Sequence, residues 1–136
     1  LDYAKHIKAE SMYNTPPVFP VYTSLLTLQW LKNLGGVAAI EKINNEKAAL
    51  LYNEIDRNPL FRGTAAVEDR SNMNVTFLLN DEAHKDTFDA MWKAANISGL
   101  PGHRSVGGYR ASIYNAMPIE SVQVLVDVMK ALEAAV

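Results

Sequence analysis

The sequence predicts an α+β fold in which a small, mostly antiparallel sheet is covered on one face by packed helices. Two observations favour this class. Long segments carry apolar residues at helical spacing, whereas shorter segments around residues 73–79 and 110–114 alternate apolar and polar residues as strands do. The 136 residues fit one domain, which is long enough to bury a sizeable core.

The first segment, residues 1–17, is predicted to be an N-terminal arm or loop, because its character is mixed and it ends in Asn14-Thr15-Pro16-Pro17. Prolines disfavour a helix before them and pre-set the backbone for a helix start. Residues 18–34 are then expected to form a largely buried helix that Gly35-Gly36 closes. Residues 18–136 together are predicted to form the folded domain.

The middle of the chain predicts a second helix followed by strands. Apolar residues recur at helical intervals from Val37 to Ile55, among Glu, Lys and Asn, and Asn58-Pro59 stops the pattern. Met73–Leu79 alternates for most of its length and predicts a strand, with Phe61–Val67 as a potential partner strand.

The last third predicts a helix, a short strand and a final helix. Asn80 or Asp81 is expected to cap a helix that ends at Asn96. Arg110–Tyr114 alternates and predicts the strand, and Pro118 suits the first position of the final helix. The inner faces of these two helices are predicted to carry Phe88, Met91, Trp92 and Ala95, and then Val122, Leu125, Val126, Met129 and Leu132.

Charge and composition exclude several classes of function. Thirteen basic residues against fifteen acidic ones give a net charge of −2, which argues against a general attraction to nucleic acid or to an anionic membrane. The absence of cysteine excludes disulfides, thiolate metal sites and thiol nucleophiles. No metal site is expected, because the histidines are far apart in sequence. The lack of a long apolar run or signal-peptide pattern predicts a cytoplasmic protein.

The segment GHRSVGGYRAS, residues 102–112, is the candidate site, because His103, Arg104 and Arg110 flank a Gly-Gly pair. A guanidinium group presents a planar fork of donors that matches carboxylate or phosphate oxygens, and glycine lets a ligand approach the backbone closely. The pattern therefore predicts a local site for a small dianion. From spacing alone, a Gly-Gly hairpin with merely solvated arginines remains an alternative, whereas nucleophilic catalysis by a serine lacks a supporting motif.

Several motifs give the chain a specific resemblance to the C-terminal part of the phosphoserine aminotransferases, a family of fold-type-I transaminases. These motifs are SMYNTPPVFPVY, WLKNLGGV, RSNMNVTF and GHRSVGGYRASIYNAMP, and they occur in the order that the family has. The resemblance runs through nearly the whole chain. It implies a homodimer that uses pyridoxal 5'-phosphate, with a large cofactor domain before a smaller C-terminal domain, which this chain resembles.

The resemblance also implies a role for each candidate residue. Asn14 and Thr15 are expected to hydrogen-bond the cofactor phosphate of the neighbouring subunit, and Arg110 to bind the α-carboxylate of the substrate. His103 and Arg104 are expected to help bind the second anionic group of phosphoserine or glutamate, or of the partner keto acids 3-phosphohydroxypyruvate and 2-oxoglutarate. Tyr109 stands where members of the family have methionine, so the contacts of its side chain are left open.

No lysine of this chain matches the family's Schiff-base lysine, which the resemblance implies lies in the missing large domain. The lysines are instead expected in the arm or on polar helical faces: Lys5, Lys8, Lys32, Lys42, Lys47, Lys85, Lys93 and Lys130. We therefore expect the chain alone to be inactive, without bound cofactor, and to expose apolar surface on its arm and first helix. The alternative from the residues alone is a stand-alone module that binds small anions without catalysis.

Overall fold

The computed structural model describes residues 2–105 and 107–136. Leu1, in the predicted arm, and Val106, in the basic segment, lie outside the described residues. The chain divides into two compact units, Leu1–Val37 and Ala38–Val136. The arm boundary expected after residue 17 differs from this division and stays a prediction.

The first unit contains two helices. Helix α1 spans Tyr3–Lys8, and the Asp2 carboxylate caps it by accepting a hydrogen bond from the backbone N–H of Ala4. Part of the predicted arm is therefore helical rather than loop. Helix α2 spans Val18–Leu34 and ends at Gly35, whose φ of 113° is a left-handed conformation that glycine adopts without steric cost.

Helix α2 does not bury any of its side chains in this chain, so the expectation of a largely buried helix is wrong here. Its apolar residues are exposed around the whole helix: Val18, Phe19, Val21, Tyr22, Leu25, Leu26, Leu28 and Trp30. A helix that is apolar on all sides is normally buried within a larger protein or assembly. The apolar surface predicted for the first helix is present.

The second unit is built around a three-stranded antiparallel sheet in the order β1-β2-β3. Its elements are α3 (Gly36–Arg57, which begins just before the unit), β1 (Phe61–Gly63), β2 (Asn74–Leu79), α4 (Lys85–Ala94), β3 (Tyr109–Ser112) and α5 (Ile119–Ala135). Short 3-10 turns precede β2 and α4. The predicted fold class is confirmed, although β1 is shorter than the predicted Phe61–Val67, and β3 both begins and ends earlier than Arg110–Tyr114.

One face of the sheet packs against helices and the other faces outward. Along β2 the residues Val75, Phe77 and Leu79 are buried, while the residues between them are half-buried. The buried face shares one apolar core with α3, α4 and α5, whose fully buried members include Leu51, Phe88, Met129 and Leu132. Burying each such side chain stabilises the fold by about 1.5 to 3 kcal/mol. The strands therefore hold their outward-facing side chains on a rigid support.

None of the helices in the described part of the chain is both long and apolar enough to cross a lipid bilayer.

Candidate functional site

An open cleft of about 260 Å³ lies where the outer face of the sheet meets the turn between residues 102 and 108. Its lining residues are Thr64, Thr76, Phe77, Gly102, His103, Gly107, Tyr109 and Arg110. Among these described residues there is no carboxylate, so Arg110 is the dominant charge. The cleft therefore favours an anionic ligand.

The position of Arg110 is set by the ladder between β2 and β3. Arg110 pairs with Thr76 across the strands, and its backbone N–H donates to the carbonyl of Leu100 at 2.7 Å. Its neighbours Tyr109 and Ala111 are buried in the core, so strand alternation turns Arg110 outward. No ion pair among the described residues involves Arg110, which leaves its guanidinium available to a ligand.

Tyr109 is an anchor in the core. Its hydroxyl donates to the Asp89 carboxylate at 2.9 Å, and its ring stacks on Phe77 with centroids 5.3 Å apart. Burial, together with the hydrogen bond to Asp89, raises the pKa of Tyr109. Asp89 also accepts hydrogen bonds from Lys85 and Trp92. The contacts that the sequence left open are therefore made with the core, and they fix β3 beside the cleft.

His103 lies on the turn with one ring nitrogen already occupied. Its Nδ1 lies 2.7 Å from the Ser105 hydroxyl and accepts from the Ser105 backbone N–H at 3.3 Å. A neutral ring that accepts at Nδ1 carries its proton on Nε2. Nε2–H is therefore the donor that His103 offers to a ligand in the cleft.

The glycines of the turn allow its two backbone segments to approach each other closely. The backbone N–H of Gly102 donates to the Gly108 carbonyl, and that of Gly107 to the His103 carbonyl, both at 2.8 Å. A Cβ atom on Gly102 would stand 2.2 Å from the Gly107 carbonyl oxygen, and Gly108 has a φ of 65°. Side chains at these two positions would displace the turn, so the glycines hold His103 beside Arg110.

The structure brings His103 and Arg110 to one cleft but places the other candidates elsewhere. Arg104 is exposed on the turn and is not among the residues that line the cleft. Asn14 and Thr15 are exposed between α1 and α2 in the first unit. The binding roles expected for all five residues stay predictions.

Lys47 is a residue whose placement the pattern of charges did not predict. It was expected on a polar helical face, yet its side chain is fully buried, and Nζ donates to three backbone carbonyls, those of Ile113, Tyr114 and Met117. Burial lowers the pKa of the Lys47 ammonium. The available signal was spacing, because Lys47 is seven residues after Ile40 and four before Leu51, on the inward face.

Residues 1–125 match the family model of the class-V aminotransferases, and the chain belongs to that family. Within it, the chain is similar to phosphoserine aminotransferases. It is 82% identical to the phosphoserine aminotransferase of Flavobacterium johnsoniae over all 136 residues, which make up 38% of that relative. It is 59% identical to that of Parabacteroides distasonis, over 98% of this chain and 38% of the relative.

Solved structures show the same similarity. The phosphoserine aminotransferase of Bacillus circulans subsp. alkalophilus is 41% identical, with a TM-score of 0.88 over 98% of this chain and 37% of its own. The phosphoserine aminotransferase of Trichomonas vaginalis, described as bound to pyridoxal phosphate, is 40% identical, with a TM-score of 0.83 over 95% of this chain and 37% of its own. The resemblance seen in the sequence motifs is confirmed, and the chain spans about 38% of the length of its curated relatives.

Proposed function

We propose that this chain is the C-terminal small domain of a phosphoserine:2-oxoglutarate aminotransferase, a cytoplasmic homodimer of serine biosynthesis. The full enzyme transfers an amino group between glutamate and 3-phosphohydroxypyruvate. The observation that carries the proposal is the shared cleft of His103 and Arg110, which no described carboxylate lines, in a chain that belongs to the class-V aminotransferases. The high identity to phosphoserine aminotransferases supports the choice of substrate.

The cleft supports a two-point mode of binding. The exposed guanidinium of Arg110 offers parallel donors to the α-carboxylate, and Nε2–H of His103 offers a donor to a second anionic group. Arg104, on the same turn but outside the lining of the cleft, is proposed to add its charge to that second group. Each charge-assisted hydrogen bond contributes about 1.5 to 3 kcal/mol. Phosphoserine and glutamate both carry an anion beyond the α-carboxylate, so one site serves both half-reactions.

Asn14 and Thr15 fit the phosphate of pyridoxal 5'-phosphate held by the neighbouring subunit. Both side chains are exposed, and neither takes part in the side-chain hydrogen bonds formed within the described ranges, so an amide and a hydroxyl donor remain for phosphate oxygens. The bound cofactor supplies the electron sink for amino transfer. The lysine that would bind it covalently is proposed to lie in the large domain, so the chain alone has neither cofactor nor activity.

A chimera tests the proposed function. The matching segment of the Flavobacterium johnsoniae relative is replaced by this chain, and formation of glutamate from phosphoserine and 2-oxoglutarate is measured. We expect activity in the chimera comparable to that of the unaltered relative, and none from the 136-residue chain alone. A folded, cofactor-loaded chimera that does not turn over phosphoserine would contradict the proposal. Submillimolar binding of phosphoserine to the isolated chain by calorimetry would instead favour the stand-alone anion-binding module.

A further inference from the structure

A row of three polar side chains crosses the outer face of the sheet at the cleft. Thr76 on β2 lies opposite Arg110 on β3 in the strand register. Thr64 follows β1, and its backbone N–H donates to the Thr76 carbonyl at 3.3 Å. Directly opposed residues of an antiparallel pair have Cβ atoms about 4.5 to 5.5 Å apart. Both hydroxyls therefore lie on the same side as the guanidinium, and all three residues line the cleft.

The two threonine hydroxyls are hydrogen-bonded to each other, and the Thr64 hydroxyl also lies 3.4 Å from the Thr76 carbonyl oxygen. A hydroxyl has one proton to donate and two lone pairs that accept. When Thr64 donates to the Thr76 hydroxyl, the proton of Thr76 is left to point into the cleft. The described lining contains no carboxylate that would compete for this proton.

A carboxylate bound at Arg110 needs more donors than one guanidinium provides. An ionised carboxylate has about four lone-pair positions, and a bidentate arginine satisfies two of them. Thr76 stands beside Arg110 on the sheet, half-buried and held by the ladder, where its hydroxyl is within reach of a carboxylate bound to the guanidinium. A neutral hydroxyl there adds a hydrogen bond without placing a second full charge beside Arg110.

We infer that Thr76 is a further substrate-binding residue, which donates to the carboxylate that Arg110 binds, and that Thr64 positions its hydroxyl. This inference rests on the proposed function, because it adds a residue to the same site. Thr76 contacts the ligand directly, whereas Thr64 acts through the hydroxyl of Thr76.

The test must separate binding from support of the sheet, because the Thr64–Thr76 hydrogen bond also joins the β1 side of the sheet to β2. Valine has nearly the shape of threonine and favours strands equally, so Thr76→Val removes the hydroxyl while keeping the fold. In the active chimera we expect Thr76→Val to raise the KM for phosphoserine and for glutamate about tenfold, with kcat within about twofold. Thr76→Ser is expected to restore the KM, since it returns the hydroxyl.

Thr64→Val is expected to raise the same KM values by about threefold, because the Thr76 hydroxyl remains but loses its partner. The control is Thr87→Val on helix α4, where the side chain is exposed and lies outside the cleft. An active chimera in which Thr76→Val leaves both KM values unchanged would overturn the inference while the proposed function stands.

A chimera that folds and binds the cofactor but is inactive would overturn the proposed function. It would overturn this inference as well, because Thr76 is assigned to the same site.

Discussion

The Nζ of Lys47 lies 2.7 Å from the carbonyl oxygen of Tyr114, 67 residues further along the chain. The same ammonium donates to the carbonyls of Ile113 and Met117, both at 3.0 Å. Helix α3 therefore holds the connection that leads from β3 to α5. Because that connection begins where the strand of Arg110 ends, Lys47 stabilises the segment that supports the cleft.

Lys47→Met should destabilise the chain strongly, because it leaves three carbonyls in or beside the core without their donor. We expect the free energy of unfolding to fall by about 3 kcal/mol. Chemical denaturation at fixed protein concentration measures the change. Lys42→Met is the matched control, since Lys42 lies on the same helix with its side chain 79% exposed, and its effect should stay within about 0.5 kcal/mol. Equal stability of the two variants would show that the buried ammonium is dispensable.

The pair of Asp56 and Arg70 should make stability depend on acid pH. Arg70 donates two hydrogen bonds to the carboxylate, each at 2.7 Å, and these lower the pKa of Asp56 below its ordinary value of 3.8. Because the pKa of Asp56 is lower in the folded state, its ionised form stabilises the fold at pH values above the pKa of the unfolded chain. This contribution is lost as the pH falls through the pKa of the folded state.

Asp56→Asn should therefore cost about 1 kcal/mol near pH 6. The difference from the unaltered chain should start to shrink as the pH falls below 3.8 and should disappear below the lower pKa of the folded state. Urea denaturation across this pH range measures it. An Asp56→Asn penalty that stays constant from near pH 6 down to about pH 2 would contradict the assigned ion pair.

Arg110→Lys should reduce kcat/KM of the active chimera for both phosphoserine and glutamate by about 100-fold. Lysine keeps the charge but presents it as a point, so it cannot form the two parallel hydrogen bonds that we propose Arg110 makes to the α-carboxylate. Arg57→Lys is the control, because Arg57 pairs with Glu54 and Glu133 and does not line the cleft. Steady-state kinetics decide the matter, and full activity of Arg110→Lys would disprove its role.

Gly102→Ala should displace the turn that carries His103. A Cβ at this position would stand 2.2 Å from the Gly107 carbonyl oxygen, so the backbone has to move. We expect a rise of about tenfold in KM for the dianionic substrates, with a smaller effect on substrates that carry only the α-carboxylate. Gly99→Ala tests backbone strain alone, since Gly99 has a φ of 71° but no atom within 4 Å of an added Cβ. Similar kinetics for both variants would argue against a special role for the turn.

The exposed apolar face of α2 should make the isolated chain self-associate. Its apolar side chains include Phe19, which is 75% exposed, and Leu28, which is 62% exposed. Contiguous apolar surface of this kind is normally covered by a partner. Light scattering should show a mass that rises with concentration, and a Phe19→Ser, Leu28→Lys double variant should reduce it. A monomer at all concentrations would contradict this expectation.

The elements that the sequence predicted best are those set by local pattern. The alternation of Met73–Leu79 and the apolar stripe of α5 depend on neighbouring residues only. The predicted strand agrees with β2 to within one residue, and every residue of the predicted stripe of α5 is buried. Asp81 likewise caps the turn that leads into α4, as its position before an apolar helix indicates.

The features that the sequence could not predict depend on distant partners. The burial of Lys47 requires three carbonyls from the far side of the fold, and the row of Thr64, Thr76 and Arg110 requires the register of β2 with β3. The burial or exposure of the apolar helix α2 likewise depends on its packing partners and not on its own residues. The spacing of apolar and polar residues along a short segment does not predict such contacts between distant parts of the chain.

The turn and the strand of the cleft are both held by backbone hydrogen bonds and not by the side chains of the turn, and this has an evolutionary consequence. Arg110 is fixed by the β2–β3 ladder and by the hydrogen bond to Leu100, whereas His103 and Arg104 lie on a loop closed by glycine backbone contacts. Replacements at the loop side chains can therefore accumulate without shifting the arginine. Under the proposed function, descendants of such a chain can acquire a preference for a different distal acid while the group common to all amino acids stays recognised.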